Sequence, residues 1–355
     1  NQAGIGWAVD KYNQSDDLLP NTTIELVSRD TEASPDVANK AARELVIKEN
    51  VDILAGSVSS SVGAAVLSFA AEENIPYFMT GPTDRSLTSG KNCNRMGFRA
   101  YPHSKQIGRP TAQFSLDTYG KNAYILVEDY SYGQAVKQAV TEVVEENGGT
   151  VVGSSAVELG ASEFQAVIDD AESSGADWFL EGAVSSAATS FLSQAANRSF
   201  DIPITSQYLV ESVLGQVTQS QFDSLPEIHS LLVAPADAEV GYNQQFIQDW
   251  SDEKGNPPNS NNYYGYFTGA WMGGALAKAD EISTDAIVSN AEGLTLETPL
   301  GDVPSRKCDH QTMPPVWIGK ATSIDEEASQ ASYETVAKYD TSNFLAPCSD
   351  IECQM

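Results

Sequence analysis

The chain of 355 residues carries 20 Lys+Arg against 49 Asp+Glu, a formal charge of 20 − 49 = −29. At about 150 residues per domain, that length suggests two domains, each with its own core. Apolar residues at 41% and aromatics at 9% exclude a disordered acidic tail, and the charge disfavours nucleic acid and anionic lipid as partners. Two readings of the charge stay open. One is plain solubility; the other is life in concentrated salt, where repulsion is screened over short distances.

The text opens in a helix-like run, Ile5 to Tyr12, without an initiator Met, so an upstream segment is expected to have been removed. No apolar run approaches the ~18–20 residues needed to span a bilayer. Ser34-Pro35 announces a helix, a cap followed by proline at the first helical position. Val37, Ala38, Ala41, Ala42, Leu45 and Val46 then share one face. A buried strand is expected over Val51–Gly56, then a serine loop, a helix through Phe69, and a strand over Ile75–Met79.

The alternation restarts after about residue 101. Ala123–Val127 reads as a strand and the Val/Ala-rich run to Val144 as a helix, which Gly148-Gly149 ends. Val151-Val152 begins a strand, and Ser162 with Gln165 predicts a capping box for the next helix. Trp178–Leu180 and Ile202–Thr205 continue the series. Helices are expected near 243–254 and 263–280, with no clear pattern beyond. Strand-helix alternation of this kind means an α/β fold with parallel sheets, whose ligands sit at the carboxyl ends of strands.

The sequence lacks a dinucleotide or P-loop glycine motif, a nucleophile elbow and a zinc-protease helix motif. His103, His229 and His310 are isolated, and nothing nominates a nucleophile for them. No catalytic residue, metal or cofactor is expected. Two hydroxyl-rich loops follow strands: Gly56-Ser57-Val58-Ser59-Ser60-Ser61 runs into a helix, and Met79-Thr80-Gly81-Pro82-Thr83-Asp84 follows the next strand. Backbone N–H groups at a helix start, with serine hydroxyls, can hold a carboxylate; an ordinary N-cap also favours Ser. A third loop, Glu128-Asp129-Tyr130-Ser131-Tyr132-Gly133, offers a tyrosine to cover a ligand. Glu181 and Glu211, in the loops after two later strands, are candidate partners for a ligand ammonium, or solvated surface charges. Cys93, Cys308, Cys348 and Cys353 are even in number and lack a C-x-x-C pair, which favours disulfides over zinc or redox chemistry.

The order of these motifs resembles the type I solute-binding proteins of ABC importers, in the branched-chain amino acid and amide branch. It is carried by Val51–Gly56 with Ser59–Ser61, Ile75-Pro76-Tyr77, Thr83, Leu87-Thr88-Ser89-Gly90, Phe98-Arg99, Asp129–Gly133 and Asn262–Tyr266 before the small-residue run Trp271–Ala279. The resemblance implies two doubly wound Rossmann-like lobes joined by three crossovers, near Tyr101–His103, Val233–Pro235 and Gln311–Pro315. Lobe one would hold 1–102 and 235–312; lobe two would hold 103–234 and 313–355. Ser59 and Thr83 would bind the ligand carboxylate or amide, helped by Ser60 and Gly81, with Tyr132 closing from lobe two.

Three departures from the family pattern stand out. Its first strand would lie before Asn1. Its ammonium-binding acid aligns with Tyr208, which leaves Glu181 or Glu211 as substitutes, or a ligand without an ammonium. Its second-lobe aromatic aligns with Val184. Of the three disulfide pairings four cysteines permit, this layout implies Cys93–Cys308 with Cys348–Cys353.

The implied function is an extracellular, cell-surface receptor, lipid-anchored through its removed N-terminal segment. It would capture an amino acid, amide or small carboxylate for an ABC permease and act as a monomer without nucleic acid. A sensory domain of the same fold is the alternative, and an enzyme with two Rossmann-like lobes a third class. Sequons at Asn13, Asn21 and Asn197 are compatible with export. With a receptor fold, the charge points to a haloarchaeal-like protein bathed in brine.

Overall fold

The computed structural model describes residues 1–15, 18–19, 22–90 and 92–353; Asn21 lies outside them. The chain divides into two compact units. Unit 1 comprises Asn1–His103, Ala238–Pro314 and Leu345–Met355, and unit 2 comprises Ser104–Asp237 and Pro315–Phe344.

Unit 1 begins with α1 (Gln2–Asn13), α2 (Pro35–Lys48), β1 (Leu54–Gly56), α3 (Ser60–Glu72), β2 (Tyr77–Met79) and β3 (Gly97–Arg99). Ser34 caps α2 as expected, its side chain accepting from Val37 N. The three strands form a parallel sheet with β2 in the middle, Leu54 level with Tyr77 and Tyr77 with Gly97.

Unit 2 follows with α4 (Ser104–Thr118), β4 (Asn122–Glu128), α5 (Ser131–Glu146), β5 (Thr150–Val157), α6 (Gln165–Ser174), β6 (Trp178–Gly182), α7 (Ser185–Arg198), β7 (Ile204–Ser206), the short α8 (Glu211–Leu214) and α9 (Gln219–Phe222), and β8 (Ile228–Leu232). The expected capping box of α6 does not form. Phe164 occupies the cap position, and Gln194 holds this entry by accepting from Phe164 N and donating to Ser162 O.

Back in unit 1 come α10 (Asn243–Lys254), α11 (Ser260–Ala277), α12 (Thr284–Ala291) and a hairpin of β9 (Thr295–Thr298) and β10 (Gly301–Pro304). β11 (Pro315–Asp325) and β12 (Gln330–Asp340) then complete the sheet of unit 2, ordered β12-β11-β8-β7-β6-β4-β5. β11 runs antiparallel to both neighbours, and the other five strands are parallel.

Close helix packing shapes unit 1. A Cβ on Gly265 would lie 2.1 Å from Asn1 O, one on Gly269 2.7 Å from Ala8 Cβ, and one on Gly273 2.6 Å from the Tyr12 ring. Glycine every fourth residue therefore clears one stripe of α11, and α1 fills it. Across the strands, Phe78 stacks on Phe98 at 4.8 Å with Trp271 edge-on to both, and His310 stacks on the Phe98 ring at 4.1 Å. These rings join β2, β3, α11 and the 310–312 stretch in one core. His310 is held inside it by Gly97 O at 3.0 Å, and burial pushes its pKa down to about 4.

The division differs from expectation by one residue at His103 and two at 313–314, which group with unit 1, and more substantially in two further places. Residues 235–237 group with unit 2, and so the chain crosses between Asp237 and Ala238; residues 345–355 group with unit 1. The cause of the second difference is covalent. Cys93 pairs with Cys353 and Cys308 with Cys348, at Cα separations of 4.9 and 5.8 Å. The expected Cys93–Cys308 and Cys348–Cys353 pairs are therefore corrected. The tail runs past both unit 1 cysteines, Arg306 takes Ala346 O at 2.7 Å, and each unit 1 cysteine bonds a tail cysteine.

Peptide mapping without reduction should recover the Cys93–Cys353 and Cys308–Cys348 linkages. Replacing the Cys308–Cys348 pair with serines should lower unfolding stability by about 2–5 kcal/mol in a urea titration.

Candidate functional site

The unit 1 residues singled out from sequence come together where β1 and β2 end. Gly56 and Ser57 both take positive φ, 116° and 64°, turning the chain sharply into α3. Thr80 N donates to Gly56 O and Gly81 N to Ser57 O, each at 3.0 Å, so the two loops lie side by side. Gly81 is needed for this approach: a Cβ there would stand 3.2 Å from Val58 Cα.

Ser60 joins the loops through its side chain. Its Oγ accepts from Thr83 N at 3.2 Å and Asp84 N at 3.1 Å. Both lone pairs of that hydroxyl are thus used, and its proton remains to be donated. Ser59 is the N-cap of α3, yet its side chain makes no cap bond; its Oγ lies 2.9 Å from Ser61 Oγ instead. The first turn of α3 holds no acid. Hydroxyls and a helix start suit an oxygen-bearing ligand group, and the Asp84 carboxylate of the same loop is turned to Ser86 N at 2.8 Å.

In unit 2, Tyr132 is buried in the first turn of α5, its ring 5.9 Å from that of Tyr130. Glu128, at the end of β4, is completely buried and accepts from Gly160 N at 2.6 Å and Val184 N at 2.9 Å. It thereby fixes the loops after β5 and β6.

Glu181 is also completely buried. One oxygen accepts from Ala183 N at 2.9 Å and the other from Ser206 Oγ at 3.0 Å, while Ser206 Oγ accepts from Tyr208 N and Leu209 N. Both oxygens are engaged within unit 2, so Glu181 shapes the loop carrying Tyr208. Burial pushes its pKa up to about 8; its two hydrogen bonds oppose that rise and the Glu128 charge adds to it. Glu211, the first residue of α8, is raised by burial as well.

Sequence reasoning assigned no role to Glu128, Ser206, Arg99 or Gln311. Glu128 stood only within the third loop, Arg99 within the Phe98-Arg99 motif and Gln311 at an expected crossover, none with a role of its own.

The raised Glu181 pKa sets a pH dependence. The unfolded chain releases this proton near the ordinary carboxylate value while the folded chain keeps it to about pH 8. The contribution is therefore complete below the unfolded pKa and is lost as pH rises toward 8. Urea titrations of wild type and Glu181→Gln at pH 5 and pH 8 should show wild type losing more stability, on the order of a few kcal/mol.

The comparisons with known proteins agree on the fold. A model of the periplasmic binding protein family matches residues 1–328. A Leu/Ile/Val-binding protein homolog 6 of Brucella abortus is 30% identical over 156 residues, a match covering 43% of this chain and 39% of that protein. The matched stretch thus spans about two fifths of the curated relative. Among solved structures, a leucine-, isoleucine-, valine-, threonine- and alanine-binding protein of Brucella ovis in its closed conformation aligns with TM-score 0.85 at 19% identity, over 98% of this chain and 92% of that one. A solute-binding protein of an ABC transporter from Rhodopseudomonas palustris BisB5, in complex with 3,4-dihydroxybenzoic acid, aligns with TM-score 0.82 at 19% identity, over 95% and 92%. With the family model spanning most of the sequence and both units built as α/β sandwiches, the chain belongs to the periplasmic binding protein family and has its type I fold.

Proposed function

We propose that this protein is an extracytoplasmic receptor that captures a small carboxylate-bearing solute, an amino acid or a related acid, and delivers it to an ABC permease as a monomer. The observation that carries the reading is the unit 1 seat. Ser60 has only a proton to give, Thr83 stands beside it, and α3 begins at Ser59. Such a seat offers a carboxylate oxygen the Ser60 proton and the first-turn N–H groups of α3. The relatives support this choice, since branched-chain amino acids and 3,4-dihydroxybenzoic acid share a carboxylate and little else. In this reading Ser59, Ser60, Gly81 and Thr83 hold the acid group. Two disulfides fit an oxidising compartment outside the cytoplasm. Binding then selects one arrangement of a two-unit protein from those it samples.

Isothermal titration with leucine, valine, alanine, benzoate, 3,4-dihydroxybenzoate, benzamide and urea tests this. At least one carboxylate should bind, its amide more weakly, and Thr83→Val should weaken binding by about tenfold. Silence across the whole panel would overturn the reading.

The same reading extends to the medium. Among the described residues, only Glu128, Glu181 and Asp309 are buried acids, so nearly all of the negative charge stands at or near the surface. Such a surface repels itself unless salt shortens the Debye length from ~10 Å at 0.1 M to ~3 Å at 1 M. The melting temperature should rise steadily from dilute to molar KCl; a flat profile would rule out adaptation to brine.

A further inference from the structure

Arg99 ends β3 with no exposure to water. Its Nε donates to Gln311 Oε1 at 2.6 Å, Nη1 to Asp84 O at 2.5 Å and Pro82 O at 3.4 Å, and Nη2 to Thr88 Oγ1. All four acceptors are neutral oxygens, three of them on the loop that carries Thr83. Burial pushes the guanidinium pKa down to about 9, with Asp309 and Asp84 opposing the shift. A buried cation in this state depends on every one of its hydrogen bonds.

Gln311 continues the network. Its amide nitrogen donates to Tyr101 O and Thr312 O, each at 3.0 Å. The backbone repeats the link, with Arg99 N donating to His310 O at 3.0 Å and Thr312 N to Arg99 O at 3.2 Å. Tyr101 lies two residues before one chain crossing, and Thr312 two residues before another, at Pro314/Pro315.

We propose that Arg99 is the positioning residue of the unit 1 seat, its fork fixing the Thr83 loop on one side and, through Gln311, both stretches that lead to these crossings on the other. Loop and crossing stretches then move as one body, and a ligand that settles the loop also settles the stretches about which a hinge would turn. The proposal rests on the reading of the seat as a ligand site.

Hydrogen exchange on the unliganded full chain tests the positioning directly. Arg99→Gln should speed exchange of amides 83–88 and 310–312 together, about tenfold or more, while the interior of α3 stays unchanged. Thr88→Val, which removes one acceptor of Arg99 and the Thr88 hydroxyl's own bond to Gln311 Oε1 at 3.3 Å, should give a smaller rise in the same two stretches. Arg99→Lys keeps the charge but loses the planar fork, and should recover only part of the protection. For benzoate or leucine, whichever wild type binds, Arg99→Gln should speed dissociation by a similar factor and leave association nearly unchanged. Loosening of 83–88 alone, or of neither stretch, overturns the proposal. If wild type binds no ligand, the functional reading fails, and the exchange data still decide whether Arg99 positions the loop.

Discussion

A guanidinium cut off from water must place its N–H groups on oxygens, and at Arg99 this requirement organises the loops that follow β1 and β2. The strands there are only three residues long, too short to hold their loops by ladder hydrogen bonds alone. Arg99 draws in the carbonyls of Pro82 and Asp84, Ser60 takes the N–H groups of Thr83 and Asp84, and the loop is gripped from both sides of its peptide units. The hydroxyls of Ser59 and Thr83 are placed by that grip.

Unit 2 solves the same problem with the opposite charge. Glu128 and Glu181 sit inside at the ends of adjacent strands and accept backbone N–H groups from the loops after β5 and β6, with Ser206 relaying Glu181 to the Tyr208 loop. Burial is the main reason the Glu181 pKa is raised, and the Glu128 charge adds a smaller push in the same direction. In both units a buried charge serves neighbouring backbone.

What was legible in the sequence was periodic or local. The helix capped by Ser34, the strands ending at Gly56 and Met79, and the two hydroxyl loops beside one sheet edge follow from patterns within a dozen residues. Non-local choices were hidden. The disulfide pairing depends on where the tail runs after β12, and spacing along the chain does not record that path. The β9–β12 strands were missed, although Thr295–Thr298 and Gln330–Asp340 alternate exposed with buried or half-buried residues, because the Pro- and Gly-bearing stretches around them hide that alternation. Ser162 looked like a cap and was displaced by Gln194, thirty-two residues away in sequence. Glu181 read as a ligand partner because the sequence shows a charge and not the Ser206 hydroxyl that would meet it. The family resemblance placed Arg99 in a motif, but its role required the coordinates of Gln311.

The tail disulfide has a mechanical meaning. With Cys93 joined to Cys353, tension applied at the chain ends passes from residue 93 to residue 353 through one S–S bond. All of unit 2 and about half of unit 1 then lie off the load path. A protein tugged at its termini could extend only its first ninety residues or so, while the sheet of unit 2 and the stretches flanking every crossing stayed slack.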